Sequence, residues 1–295
     1  MLYRNTFTTN DAFRRETWPI VLVGTAFLFK ISMAGEAGEP LPFWLHHIPY
    51  SLSWTASLVA KARLSFIAQG LGIAWYNVRW IISDRKTPWI TGAFPFLNLF
   101  LLGQSRYANI PLFLLFESQR HLLESSKSDA LMLTFSCLIM QHVSFFALGN
   151  SNSLSSVDLS NAYNGISSYS IPLVGLLTFI SNWAGPIWWS TASLQFLAQR
   201  KVSLRHRHTQ KKPTNPVPQK VLDEKSIDIF VDWMGWSSWF HGMAISFLVC
   251  TCIILRTHLF IWTVFSPKFL FQAVWLGLHH IVVEGIMGGL IWLIS

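Results

Sequence analysis

The spacing of its apolar runs constrains this chain more than any other feature. A helix rises 1.5 Å per residue and the hydrocarbon layer of a bilayer is about 30 Å thick, so a spanning helix needs about 20 apolar residues. Four segments reach that length: 64–82, 129–148, 171–198 and 269–294. A fifth, 233–255, is long enough and opens on Trp233, Trp236 and Trp239. Three more, 17–33, 89–102 and 110–123, are shorter or interrupted. The last of these carries Glu117 and Arg120, which would also suit a helix lying along the interface. The expected fold is an all-α, polytopic transmembrane helix bundle of about eight spans, within a range of six to eight.

Composition argues against a soluble alternative. Only 12% of the residues are charged, against roughly a quarter in ordinary soluble domains, so a soluble fold would lack the surface to cover its core. The 15 Trp suit bilayer interfaces, where the ring is buried and its N–H stays wet. The net charge of +8 does not point to nucleic acid, because the basic residues lie between apolar runs rather than along a helix with interleaved aromatics. Their densest block is Arg200, Lys201, Arg205, Arg207, Lys211, Lys212 and Lys220, interrupted or followed by Pro213, Pro216 and Pro218. It reads as a solvated loop beside anionic lipid. Cys137, Cys250 and Cys252 all sit in apolar runs, so neither a disulfide framework nor a zinc pairing is expected from them. Residues 1–16 are polar, with Arg4, Arg14 and Arg15, and do not read as a cleavable signal peptide.

Eight spans with a cytosolic N-terminus put sixteen Lys and Arg on the cytosolic side. Five (Lys61, Arg63, Arg106, Arg256 and Lys268) fall on the other side, and Lys30 sits at a helix end. By the positive-inside rule both termini are then cytosolic, and the loop 149–169, which has no Lys or Arg, faces the lumen or exterior. The expected organisation is a cytosolic segment 1–16, membrane helices over 17–198 with the lumenal loop 149–169, a basic cytosolic loop 199–227, and two membrane helices over 228–295.

Three groups of polar residues need an explanation. The loop carries Asn150, Asn152, Asp158, Asn161 and Asn164 among many serines, which suits tight turns. The stretch 141–169 as a whole also carries Phe145, Phe146, Leu154, Val157, Leu159, Tyr163 and Ile166, too apolar for a free linker. A loop folded back on the bundle would offer amide and hydroxyl groups to a lipid head group. In that reading Asn150, Asn152, Asp158 and Asn161 hold the head group, Asp158 pairs with its ammonium, and His142 lies one to two turns below. In the next helix, Pro186 lacks an N–H and pushes away the carbonyl of Asn182, so a kink with a free acceptor is expected beside Gly185. Such kinks usually fit packing and sometimes open a binding site.

The last helix holds His279, His280 and Glu284, then Gly285 and Gly289. His280 and Glu284 are four apart and share one face, and an intramembrane carboxylate is costly enough to mark a functional candidate. No nearby Cys, His or Asp completes a tetrahedral set in the sequence, so a mutually satisfied His–Glu pair is expected rather than a metal site. The Gly285-x-x-x-Gly289 spacing suits close helix approach. There is no G-x-S-x-G, no phosphate loop, no H-E-x-x-H and no dinucleotide fingerprint, and no catalytic residue is assigned.

Three blocks carry a family resemblance: SFFALGNSNSLSSVDLSNAYNG (144–165), LVGLLTFISNWAGPIWW (173–189) and RTHLFIWTVFSPKFLF (256–271). They resemble the C-terminal membrane region of the GPI ethanolamine phosphate transferases, in particular the fungal-type branch that modifies the second mannose of the anchor precursor. The resemblance implies a family whose lumenal domain uses two zinc ions and a threonine nucleophile to carry phosphoethanolamine from phosphatidylethanolamine to a mannose hydroxyl. That domain is not expected in this chain, so no cofactor is assigned to it and no catalytic or zinc-binding position can be carried over. The resemblance further implies an endoplasmic reticulum membrane, phosphatidylethanolamine and the GPI precursor as lipid partners, and a small membrane partner subunit. Two alternatives stay open: a polytopic lipid or solute transporter, supported by the Pro186 kink and the His280/Glu284 pair, and a non-catalytic scaffold for the partner subunit.

Overall fold

The computed structural model describes residues 8–36, 57–82, 88–126, 128–150, 157–210, 219–258 and 266–290. In chain order the helices are α1 (Thr8–Glu36), α2 (Leu58–Ile82), α3 (Trp89–Gly103), α4 (Ile110–Ser125), α5 (Ala130–Ala147), α6 (Ile171–Asn182), α7 (Ala184–Gln210), α8 (Gln219–Ile254) and α9 (Ser266–Leu278). Short 3-10 turns cover Tyr107–Asn109 and Ser160–Tyr163, and α9 runs into a π-helix over His279–Gly288. The described residues contain no strand, so the all-α expectation holds.

Two helices, α2 and α5, bury polar residues and expose apolar ones. On α2 the buried residues are Ala62, Ser65, Gln69 and Gly72. Its exposed face carries Leu64, Ile67, Leu71, Trp75, Val78 and Ile82, at intervals of three and four residues. On α5 the inward residues include Thr134, Cys137, Gln141 and Ser144, and the outward ones Met132, Ile139, Val143 and Phe146. A soluble bundle buries its apolar stripe and wets the opposite face. The reverse order is stable only where lipid is the solvent, because exposed apolar area of this extent is not tolerated in water.

Two described helices are long and apolar enough to cross a bilayer, Ala130–Ala147 and Ile227–Ile254. The pair Ile171–Asn182 and Ala184–Ser203, bent by 73°, makes a third if it forms one span. Of the other expected spans, α3 is short at 15 residues and α9 runs into a π-helix, while α1 and α2 are long enough, at 29 and 25 residues, but not among the helices that are also apolar enough.

The core lies between α3, α4, α5 and α7. Phe94, Leu101, Phe113, Phe116, Cys137 and Phe196 close around Trp188 and Trp189, both almost fully buried. Edge-on contacts join Phe94 to Trp188 at 5.2 Å and Trp188 to Trp189 at 4.9 Å between ring centroids. Gly185 lets α5 and α7 approach this closely, since a Cβ there would lie 2.7 Å from the Cβ and Oγ of Ser144. The charges of α4 are satisfied within the helix. Arg120 is buried, pairs with Glu117 at 2.6 Å and Glu124 at 3.0 Å, and lies over the Phe94 ring.

Some sequence expectations change. The stretch 199–227, expected as a solvated loop, is helical over 199–210 and 219–227, and 211–218 lies outside the described residues. Arg and Lys are good helix formers, and no Gly or Pro lies between Pro186 and Pro213. Lys30 does not end a helix but lies buried within α1, donating to the carbonyl of Ser105. The expected close approach at Gly285 and Gly289 falls instead at Gly288, where a Cβ would meet the Phe230 ring at 3.0 Å. The π-helix moves the small face by one residue.

Candidate functional site

Two polar groups emerge, and the expected site residues divide between them. The first is built on the break between α6 and α7. Pro186 cannot donate to the Asn182 carbonyl, and the side-chain amide of Asn150 donates to that carbonyl instead, at 2.7 Å, while also reaching Phe145 O at 3.1 Å. The Asn182 side chain then treats the returning loop as a strand partner. Its Oδ1 accepts from the Asp158 amide and its Nδ2 donates to the Asp158 carbonyl, each at 3.0 Å. The free acceptor expected at the kink is therefore the anchor of the loop.

Asp158 sits at the centre of this group. Its Oδ1 accepts from the amide and hydroxyl of Ser160, at 2.9 and 2.7 Å. Its Oδ2 accepts from Arg106 Nε at 2.8 Å and from Asn161 at 3.2 Å. Asn161 is buried and accepts in turn from Asn164, whose amide also donates to Gly103 O. Burial alone would raise the Asp158 carboxyl, but hydrogen bonds from Ser160 and Arg106, with the Arg106 charge, outweigh it and hold the pKa below the ordinary 3.8. Arg63 closes the far side of the loop, donating to Gly165 O and Ser167 Oγ at 2.8 Å each. The Arg106 side chain stays 53% exposed, so a cation and a carboxylate stand together at the rim. Asn152 lies outside the described residues.

The second group lies among α5, α8 and the π-helix. His280 Nδ1 is 2.5 Å from Glu284 Oε2, as the four-residue spacing predicts. His279 also reaches Glu284, with Nδ1 3.3 Å from Oε1. In an α-helix residues five apart point about 140° away from each other. A π-helix bonds residue i to i+5 and brings them onto one side. His241 of α8 packs its ring 4.7 Å from that of His279 and 5.9 Å from that of His280. His142 joins this group rather than the loop: its ring lies 6.0 Å from His241, and its Nε2 is 3.3 Å from Gln272 Nε2. His241 and Glu284 are almost fully buried. Neither ring nitrogen of His241 has a hydrogen-bond partner among the described residues, nor do Ser237 Oγ and Glu284 Oε1 at good geometry. Each such group costs about 1–3 kcal/mol.

Arg63, Arg106 and His241 carry much of this geometry and were not marked as site residues by the sequence. A lone histidine inside the Trp-rich apolar run of α8 was the available signal for His241. Nothing in the sequence pairs Arg106 with Asp158, 52 residues on.

A family model described as the GPI ethanolamine phosphate transferase membrane region matches residues 2–295. The chain belongs to this family. Among curated relatives, a protein of Yarrowia lipolytica named GPI ethanolamine phosphate transferase 2 is 38% identical over 291 residues, covering 89% of this chain and 33% of the relative. A protein of the same name from Debaryomyces hansenii is 44% identical over 300 residues, covering 90% of this chain and 33% of the relative. A third, from Candida albicans, is 33% identical over 312 residues, covering 93% and 34%. The chain thus spans about a third of the length of these relatives. No solved structure matches it significantly. The membership agrees with the inside-out helices: this is a membrane protein of the GPI transferase family.

Proposed function

We propose that this chain is the membrane, lipid-presenting part of a GPI-anchor phosphoethanolamine transferase in the endoplasmic reticulum, with about eight spans. The whole activity would move phosphoethanolamine from phosphatidylethanolamine to the second mannose of the GPI precursor, by way of a zinc-dependent lumenal domain. In this reading the chain itself supplies no nucleophile. Its partners are phosphatidylethanolamine, the GPI precursor and a small membrane subunit. The match of the family model to residues 2–295 carries this reading.

The rim at Arg106 and Asp158 supports a specific role in it. Phosphoethanolamine is a zwitterion, with a phosphate and an ammonium a few bonds apart. Arg106 suits the phosphate and Asp158 the ammonium, with Asn161 and Asn182 bonded to Asp158 and Asn150 bonded to Asn182.

A chimera tests the reading. Residues 1–295 replace the matching third of the Yarrowia lipolytica relative, and GPI precursors are analysed in microsomes lacking that relative. Precursors carrying phosphoethanolamine on the second mannose are the expected result, with none from the chain alone. A chimera that is made and inserted normally but leaves the precursors unmodified overturns the reading. Within an active chimera, Arg106→Gln should lower lipid use by about tenfold, as loss of a charge-assisted contact implies.

A further inference from the structure

The buried histidines have no part in the head-group reading, and their geometry is that of ligands. The ligand atoms of His279, His280 and Glu284 all lie within 4.8 Å of one another. Zinc holds nitrogen and oxygen at about 2.0–2.2 Å, which places neighbouring ligands of a tetrahedron about 3.3 Å apart. His279 Nδ1 and Glu284 Oε1 stand at 3.3 Å. His280 Nδ1, 2.5 Å from Oε2, reaches the same spacing by moving outward by about 1 Å. His241 lies outside that group of ligand atoms, but its ring packs 4.7 Å from that of His279, fully buried and with both ring nitrogens unpartnered among the described residues, so a small inward shift would make it the fourth donor.

We propose that Glu284, His279, His280 and His241 form an intramembrane site for a tetrahedral divalent transition metal of the zinc class, which ties α8 to the C-terminal π-helix. Imidazole and carboxylate donors suit zinc among the common cellular metals, and three histidines with one glutamate fill a closed, structural coordination set. This replaces the simple His–Glu pair expected from the sequence, where His279 falls on the wrong face and His241 is 38 residues distant.

The surroundings complete the set. Gln141 Nε2 lies 3.4 Å from His279 Nε2, and Gln141 Oε1 has no partner. Rotating that amide by half a turn lets Oε1 accept from Nε2–H, which leaves the Nδ1 lone pair of His279 for the metal. Ligating histidines are usually oriented this way, and amide oxygen and nitrogen are interchangeable by shape. The π-helix itself becomes intelligible, because it turns His279 toward Glu284.

The test is metal content, read on the full chain made without a polyhistidine tag, purified in detergent and dialysed against metal-free buffer. About one zinc per chain is expected by elemental analysis, and cobalt(II) exchanged into the protein should give the intense visible bands of tetrahedral coordination. Glu284→Gln keeps shape and should lose zinc about tenfold or more, as should His279→Ala and His241→Ala, whereas His142→Ala retains it. A strong chelator should lower the melting temperature of the parent chain and leave that of Glu284→Gln unchanged. Zinc held equally by the parent and by Glu284→Gln would be adventitious and overturns the site, as does a metal-free parent whose cobalt spectrum is octahedral. The cobalt spectrum of the parent keeps the question decidable even if a histidine variant does not fold.

Discussion

Asp158 shows how far one residue type carries and where it stops. Its place among Asn and Ser marks it as a turn former, and it does accept from Ser160. What the sequence cannot display is Arg106, brought to it by packing rather than by local spacing. The two roles separate by mutation. Asp158→Asn keeps one acceptor oxygen and should cost about 0.2–1 kcal/mol, the range for a pair whose arginine is half in solvent. Asp158→Ala also orphans donors of Ser160 and the buried Asn161, and should cost about 1–3 kcal/mol in thermal or denaturant unfolding in detergent. Equal losses in the two variants would remove the distinction. The pH dependence follows from the carboxyl lying below its ordinary value of 3.8. Between the two values the unfolded chain binds the proton and the folded chain does not, so this stabilisation is complete above 3.8 and disappears as the pH falls through the lower, folded value. The parent should therefore lose melting temperature on acidification below 3.8 more steeply than Asp158→Asn does. Parallel curves would show that the carboxylate contributes nothing.

At the scale of elements, sequence and structure agree wherever a local rule governs. Pro186 announces a break, and the chain bends by 73° between α6 and α7. The loop 149–169 is too apolar to float, and its described part folds back onto Asn182 and Gly103. The π-helix over His279–Gly288 has no sequence signature, since its bonds differ from those of an α-helix by one residue; the His280–Glu284 pair survives it, but His279 joins Glu284 and the close glycine contact moves to Gly288. The same holds for the contact of α5 with α7. Gly185 looks like part of a kink, yet it works as a spacer: its missing Cβ makes room for Ser144. Gly185→Ala should cost about 1–3 kcal/mol, because the clash at 2.7 Å includes a Cβ and the backbone carbonyl carbon lies only 3.0 Å away. Ser144→Gly alone should be milder, and together with Gly185→Ala it should recover much of the loss. A double variant no better than Gly185→Ala alone would place the strain in the helix break rather than in the contact.

At the scale of the whole molecule, the fold brings different basic residues to its two ends. Arg63 at the start of α2 bonds Gly165, and Arg106 after α3 bonds Asp158, so both basic residues stand at the end of the bundle that carries the loop. At the opposite end, Gln199 of α7 donates to Glu124 of α4, and Arg200 donates to Ser128 just before α5. The heavily basic continuation of α7 leaves from that end. Three of the five Lys and Arg expected on the lumenal side (Lys61, Arg63 and Arg106) thus belong to one end, and the dense block beginning at Arg200 belongs to the other. On this arrangement the positive-inside rule predicts that the loop lies in the lumen and that α7 ends in the cytosol. Cysteine labelling in sealed microsomes tests this. The parent would carry replacements of Cys137, Cys250 and Cys252, since Cys250 is exposed and would otherwise react. The reporter belongs at Ser168, within the loop and exposed. Ser168→Cys should resist an impermeant maleimide until the microsomes are opened with detergent, while a cysteine at Ser203, beside the basic end of α7, should react in the sealed state. Labelling of Ser168→Cys in sealed microsomes would invert the bundle and place the Arg106–Asp158 rim in the cytosol, away from any lumenal transfer.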